Sequence, residues 1–229
     1  MGSISVSSEV PPARPLTRFD RRLAKILEHA TSIFCEKGYE GASMRDLSRA
    51  SGMSLAGLYY YFESKEKLLY LIQKDLFTTV MELLRERLKE VAEPEARVRM
   101  FILNHVEYFL ANQKAMKVLS HEAESLAGDL HKLVATKKER YARVARKILR
   151  EIAEQERTNV GVDLTVATYA LFGMMNWIYN WYDPRGKLSV NQLVDNITRL
   201  FVGGFLSTAA EFAFSEPAKA ERLSIWRSA

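Results

Sequence analysis

The chain has 229 residues, of which 48% are hydrophobic and 27% charged, with a net charge of +5. That balance excludes global disorder and supports a packed core in one large domain or two smaller ones. The mild basic excess permits a polyanionic partner, while the single cysteine, Cys35, excludes an intrachain disulfide and fits a reducing cytosol.

Residues 1–16, with several Ser and Pro, lack the apolar centre of a secretory signal and read as a flexible arm. Leu23, Ile26, Leu27, Ala30, Ile33 and Phe34 then recur at helical spacing until Gly38 ends the helix, and Cys35 on this stretch is expected to pack. Ser43 caps a short second helix, 44–50, with Asp46 in its first turn. The stretch SGMS, 51–54, is a tight turn in which Gly52 is free to adopt positive φ. Ser54 caps a third helix, 55–61. Ser64 caps a long fourth one, with Leu69, Ile72, Leu76, Val80, Leu83 and Leu84 on one stripe and Pro94 marking its end.

Five more helices are expected, at 98–110, 114–126, 130–156, 164–182 and 190–212. The stretch 164–182 carries no charge and is long enough to cross a membrane. Thr165, Thr168, Asn176 and Asn180 along it, and the lack of a second such span, favour burial in a subunit interface. Asp183 to Gly186 reads as a turn, and Ser189 with Gln192 as a capping box. No stretch alternates as a strand would. The expected fold class is all-α: an N-terminal three-helix helix-turn-helix domain followed by a larger helical domain.

Two short helices joined by a Gly-containing turn, behind a longer packing helix, form a helix-turn-helix, whose second helix must be short and exposed to reach a major groove. Ser54, Ala56 and Gly57 are small enough for close approach, and Leu58 and Phe62 are spaced to pack inward against Leu47 and Ile33. That leaves Tyr59 and Tyr60 for DNA, through phenolic hydroxyls on phosphate and rings on sugars or thymine methyls, while Tyr61 leans back onto the domain. An ordinary helical protein would use the same tyrosine run as core plus a solvated edge.

The stretches GYEGASMRDLSRASGMS, 38–54, and LYYYFESKEKL, 58–68, resemble the DNA-binding domain of the TetR family of bacterial regulators. The resemblance implies an all-helical homodimer that represses transcription from a palindromic double-stranded operator until a small-molecule inducer moves its two heads apart. It implies DNA contacts from Arg18, Ser43, Met44, Arg45, Ser54, Leu55, Ala56, Gly57, Tyr59 and Tyr60, with Lys65 anchoring a phosphate. Leu55 departs from the polar or basic residue common there, and Gly57 from Thr or Ala. Specificity is therefore expected to rest on apolar contacts, DNA shape and the basic arm of Arg14, Arg18, Arg21, Arg22 and Lys25. The implied division is an arm, 1–16, a DNA-binding domain, 17–66, a ligand-binding and dimerisation domain, 67–214, and a tail, 215–229.

WIYNWYDPRGKLS, 177–189, resembles a subgroup of the family that regulates fatty-acid, steroid and related acyl-CoA catabolism. An acyl-CoA or lipid-like acid is then the implied inducer. Phe101, Tyr108, Phe109, Met116, Phe172, Met175, Trp177 and Trp181 would line its acyl slot, and Lys137, Lys138, Arg140, Arg143 and Arg146 would meet CoA phosphates. Aromatics at helical spacing also serve as plain core, and basic runs as solvated faces.

Other chemistry is thin. His121, Glu122, Glu124, Asp129 and His131 do not share a helix face, so no metal site is expected. No nucleophile–base order, phosphate-binding Gly loop or CxxC is present, so neither a cofactor nor an enzyme is expected. The leading expectation is a cytoplasmic, ligand-responsive repressor. A helical regulator acting through a protein partner and a repressor induced by a hydrophobic drug-like compound are the alternatives.

Overall fold

Thr17 begins the first helix: its hydroxyl accepts the Asp20 N–H at 3.1 Å, and its own N–H donates to the Asp20 carboxylate at 2.9 Å. In this computed structural model, which describes residues 17–122, 124–155 and 162–207, the described residues form helices and contain no strand. The expected arm, the tail, residue 156 and the last helix beyond 207 lie outside the described residues.

The head comprises α1 (Arg18–Gly41), α2 (Met44–Ser51) and α3 (Leu55–Tyr59). Gly38, at φ 73° and ψ 161°, interrupts α1 at the position where the sequence predicts its end. Ser43 and Asp46 form a reciprocal capping box at α2, and Gly52 closes α2 in the left-handed conformation at φ 64°. Five residues are too few for a self-standing helix, so α3 depends on what it buries. Leu58 is fully buried and Phe62 nearly so, in one core with Ile26, Ala30, Ile33, Phe34 and Leu47. Burying a side chain of this size contributes about 1.5–3 kcal/mol. Cys35 is half-buried against the same core.

The body comprises α4 (Lys65–Leu88), α5 (Pro94–Ala111), α6 (Gln113–His121), α7 (Gly128–Gln155), α8 (Leu164–Asn176) and α9 (Val190–Phe205). Helix α5 packs against α4, α7 and α9, and α6 lies against α1. Pro94 opens α5 instead of closing α4, which stops at Leu88. A proline lacks the N–H that the first helical position leaves unpaired anyway. Helix α6 stops at His121, before the expected 126, and α7 starts at Gly128 with φ 53°. The expected helix at 164–182 also divides. Beyond Asn176 its bonds shorten to the i→i+3 pattern of a 3₁₀ turn, Ile178–Asn180, with Asn180 N–H on Trp177 O and Trp181 N–H on Ile178 O. The Asp183–Gly186 turn and the Ser189–Gln192 capping box form as expected. Among the described residues, no helix is long and apolar enough to cross a membrane.

Gly52 isolates a backbone effect, because a Cβ there would meet nothing within 4 Å. Gly52→Ala is expected to lose about 1–2 kcal/mol of stability from left-handed strain alone, read as a lower urea midpoint at unchanged slope.

Candidate DNA-binding head and ligand cavity

The three tyrosines after Leu58 divide as helical geometry requires. Tyr59 and Tyr60 are 50% and 75% exposed, while Tyr61 stacks on Phe19 of α1 with ring centroids 4.7 Å apart. Tyr60 meets the edges of both, at 6.0 Å from Phe19 and 5.3 Å from Tyr61. Phe19 is the member of this cluster that sequence reasoning missed. It stands one turn before Leu23 on the apolar stripe of α1, where helical spacing makes it legible, and its pairing across the fold gives it a role.

Ser54, Leu55 and Ala56 are exposed at the start of α3. Ser54 Oγ accepts the Gly57 N–H at 3.1 Å. A Cβ on Gly57 would lie 3.2 Å from that oxygen and 3.5 Å from Met53 Cε, so glycine suits the tight cap. Ser43 and Arg45 are exposed and Met44 half-buried at the start of α2, and Arg18 is exposed at the start of α1. Asp46 receives Lys37 Nζ and Arg49 Nη2, each at 2.7 Å. Hydrogen bonds from Lys37 and then Ser43 hold its carboxyl well below the usual carboxylate range. Lys65, expected on a phosphate, spends two of its three N–H groups inside the fold, on Tyr39 O at 2.8 Å and Ala42 O at 3.2 Å. Its ammonium also sits 4.2 Å from the Tyr39 ring centre.

The head meets the body at this same loop. The Tyr39 N–H, freed by the break at Gly38, donates to Glu122 Oε1 at 2.9 Å. Ser125 Oγ donates to Glu122 Oε2 at 2.7 Å, and Gln73 Nε2 donates to the Glu122 carbonyl at 3.2 Å. The HEAESLAGDLH stretch thus supplies a structural carboxylate. Among the described residues no His, Cys, Asp and Glu cluster could hold a metal.

In the body, a cavity of about 570 Å³ opens between α4, α5, α6, α7 and α8. Phe77, Phe109, Met116, Leu119, Tyr169 and Phe172 form much of its apolar wall. The structure therefore brings together Phe109, Met116 and Phe172 of the expected slot. Phe101 is buried behind the wall, stacked on Tyr141 at 5.1 Å and edge-on to Phe172 at 5.9 Å. Met175 lines a small adjoining void. The other expectations are corrected by register. Tyr108 faces a separate groove shared by α1 and α4, Arg140 is exposed, and Trp177 and Trp181 are 64% and 56% exposed. Of the basic run only Lys138 reaches the cavity wall.

His105, Tyr141 and Asn176 also line the cavity, and sequence reasoning left them out because a lone His on an apolar stripe carries no spacing signal. His105 Nε2 donates to Asn176 Oδ1 at 3.1 Å, and Nδ1 accepts from the Tyr141 hydroxyl at 3.3 Å. Burial pushes the His105 pKa down to about 3, so the ring is neutral. Burial likewise pushes the Tyr141 hydroxyl up, keeping it protonated.

A short helix-turn-helix head set on a helical body with an apolar cavity defines a DNA-binding regulator. Residues 26–70 match the model of bacterial regulatory proteins of the tetR family, and residues 91–205 match a tetracyclin repressor-like C-terminal domain. The chain belongs to the TetR family and is a TetR-type DNA-binding transcriptional repressor. It is 23% identical over 205 residues to the HTH-type transcriptional repressor KstR2 of Mycolicibacterium smegmatis, spanning 87% of this chain and 96% of that one. The TetR-family regulator PfmR of Thermus thermophilus is 32% identical, with 79% and 98% of the two chains covered and a TM-score of 0.70. AibR, solved with isovaleryl coenzyme A and operator DNA, is 30% identical, with 78% and 97% covered and a TM-score of 0.69. These relatives are regulators, not enzymes.

The neutral His105 sets a pH dependence. Its unfolded pKa of about 6.5 exceeds the folded value of about 3, so between them the unfolded chain binds the extra proton and stability falls as pH falls. Acidification from pH 7 to pH 5 is expected to cost about 2 kcal/mol from this group, measured by denaturant unfolding. His105→Gln is expected to flatten that segment of the profile.

Proposed function

We propose that this chain acts as a cytoplasmic, dimeric, ligand-responsive repressor, released from a palindromic operator by a small-molecule inducer that fills the cavity between α4 and α8. The observation that carries the reading is α6. Its Met116, Leu119 and Ser120 line the cavity, while its C-terminal end leads into Glu122, the residue bonded to the head at Tyr39. A ligand that favours one position of α6 shifts the population of head arrangements, and only one of these fits two successive major grooves.

Dimerisation is assigned to α8 and α9. Val166 and Tyr169 of α8, Leu200 of α9, and Trp177 and Trp181 of the connection between them are large and exposed, and such residues mark an interaction surface. DNA contact is assigned to Arg18, Ser43, Met44, Arg45, the Ser54–Gly57 start of α3, Tyr59 and Tyr60, with the remaining Lys65 N–H on a phosphate. An acyl-CoA or lipid-like acid is the proposed inducer class. The apolar cavity supports it, as does the likeness to AibR, whose solved complex contains isovaleryl coenzyme A.

The test is a titration of the purified protein against DNA from its own upstream region, with and without a panel of aliphatic, aromatic and steroid acyl-CoA compounds. Tight binding that random DNA fails to compete, released by one compound, supports the reading. Tight binding that no acyl-CoA releases overturns the inducer class, and absence of specific binding across genomic fragments overturns the operator. Tyr59→Phe and Tyr60→Phe are each expected to weaken operator binding by about 1 kcal/mol, the worth of one hydroxyl–phosphate hydrogen bond. Unchanged affinity at both positions removes the tyrosines from the interface.

A further inference from the structure

The second helix of a helix-turn-helix enters the major groove, and in this head that helix is α3. What α3 displays is apolar. Between Ser54 and Tyr59 the side chains are Leu55, Ala56, Gly57 and Leu58, and none of the four carries a hydrogen-bonding group. Leu58 is buried and Gly57 half-buried, so Leu55, 38% exposed, and Ala56 are the two that face outward. Leu55 and Tyr59 stand four residues apart on one side of the helix. The Ser54 oxygen before them is committed to the Gly57 N–H at 3.1 Å. An Arg, Asn or Gln, which would read guanine or adenine through paired hydrogen bonds, does not occur from Ser54 to Tyr60.

The bases answer such a face differently. Guanine and adenine present N7 together with O6 or N6, and cytosine presents N4. An aliphatic side chain laid over any of these strips water from a donor or acceptor and returns no bond. Thymine alone places a methyl group in the major groove. Leucine against that methyl takes apolar area on both sides out of water.

We infer that Leu55 is a specificity-determining residue that selects thymine through its C5 methyl, with Ala56 beside it small enough to let the helix approach. The inference rests on the reading of α3 as the helix that enters the groove, and it goes further by naming the base and the group on it that is read. Each half-site then holds a thymine recognised by its methyl and not by its hydrogen-bonding edge. The tyrosines at the other end of α3 hold position on the backbone without choosing the base.

Uracil differs from thymine by that methyl alone and is therefore the probe. The full chain selects its site from a pool of duplexes of randomised sequence. The recovered site is remade with each thymine replaced in turn by uracil, and affinity is read by fluorescence anisotropy. At one thymine per half-site the replacement is expected to weaken binding about fourfold, the worth of one buried methyl group. Leu55→Ala and Leu55→Gln are each expected to lose the sensitivity at that base pair, and Leu55→Met, which keeps apolar reach, to retain it. Circular dichroism reports folding, and the Ser54 cap is untouched in all three variants. A selected site whose affinity no uracil changes overturns the inference while the groove reading stands. A uracil effect that persists undiminished in folded Leu55→Ala or Leu55→Gln also overturns it, because another residue or the shape of the DNA is then responsible. Recovery of no specific sequence from the pool overturns both.

Discussion

One carboxylate, Glu122, ties the DNA-reading end of the chain to its body. The tie exists because Gly38 breaks α1: at φ 73° the helix cannot continue, and the Tyr39 N–H loses its partner four residues back. Glu122 Oε1 supplies a new one at 2.9 Å. Lys65, at the start of α4, gathers the carbonyls of Tyr39 and Ala42 from the other side. The loop that aims α2 and α3 is therefore held by α4 and by the end of α6 at once. A Cβ on Gly38 would stand 3.7 Å from Glu122 Oε1, an ordinary contact. The need for glycine lies in the backbone, not in crowding.

In the body, one buried imidazole has its bonds completed on the same principle. His105 is tolerable in an apolar interior because Tyr141 and Asn176 satisfy both nitrogens. The same ring stacks on Tyr141 at 5.9 Å, with Phe109 tilted against it at 4.5 Å and Phe172 edge-on at 5.8 Å between centroids. Its bonds join α5, α7 and α8 around the cavity, so the cavity wall is partly a hydrogen-bonded frame and not only packed rings. Asn104 follows that principle only in part: Nδ2 donates to the Val80 carbonyl of α4 at 3.1 Å, while Oδ1 is buried without a hydrogen-bond partner among the described residues.

Much of this is legible in the amino-acid sequence because local rules dominate the head. The caps at Ser43, Ser54 and Ser64, the left-handed Gly52 and the inward Leu58 and Phe62 each follow from residue type and spacing. The body is harder to read. Trp177 and Trp181 have the composition of a ligand slot, but the tightening of the chain after Asn176 turns them outward. Arg140 and Lys138 sit two residues apart in one basic run, and helix rotation alone puts the first in solvent and the second in the cavity wall. His105 and Phe19 sit at helical spacing with the apolar stripes of their helices, but each acquires its role from a residue far away in the chain, which spacing does not reveal. Pro94 misleads because a proline outside a helix reads equally as a stop or a start.

The geometry of α3 carries a consequence for how such a molecule changes over generations. The side chain that anchors the helix, Leu58, is wholly buried, whereas Leu55, Tyr59 and Tyr60 stand 38%, 50% and 75% exposed. Anchoring and display are thus carried by different residues of one short helix. Exposed positions away from caps and packing tolerate replacement within a few tenths of a kcal/mol. Substitutions at Leu55 and Tyr59 are therefore nearly neutral for folding, whereas Tyr60 also packs edge-on against Phe19 and Tyr61. The face displayed by α3 can thus change without passing through unstable intermediates, and an engineer altering that face inherits the same freedom.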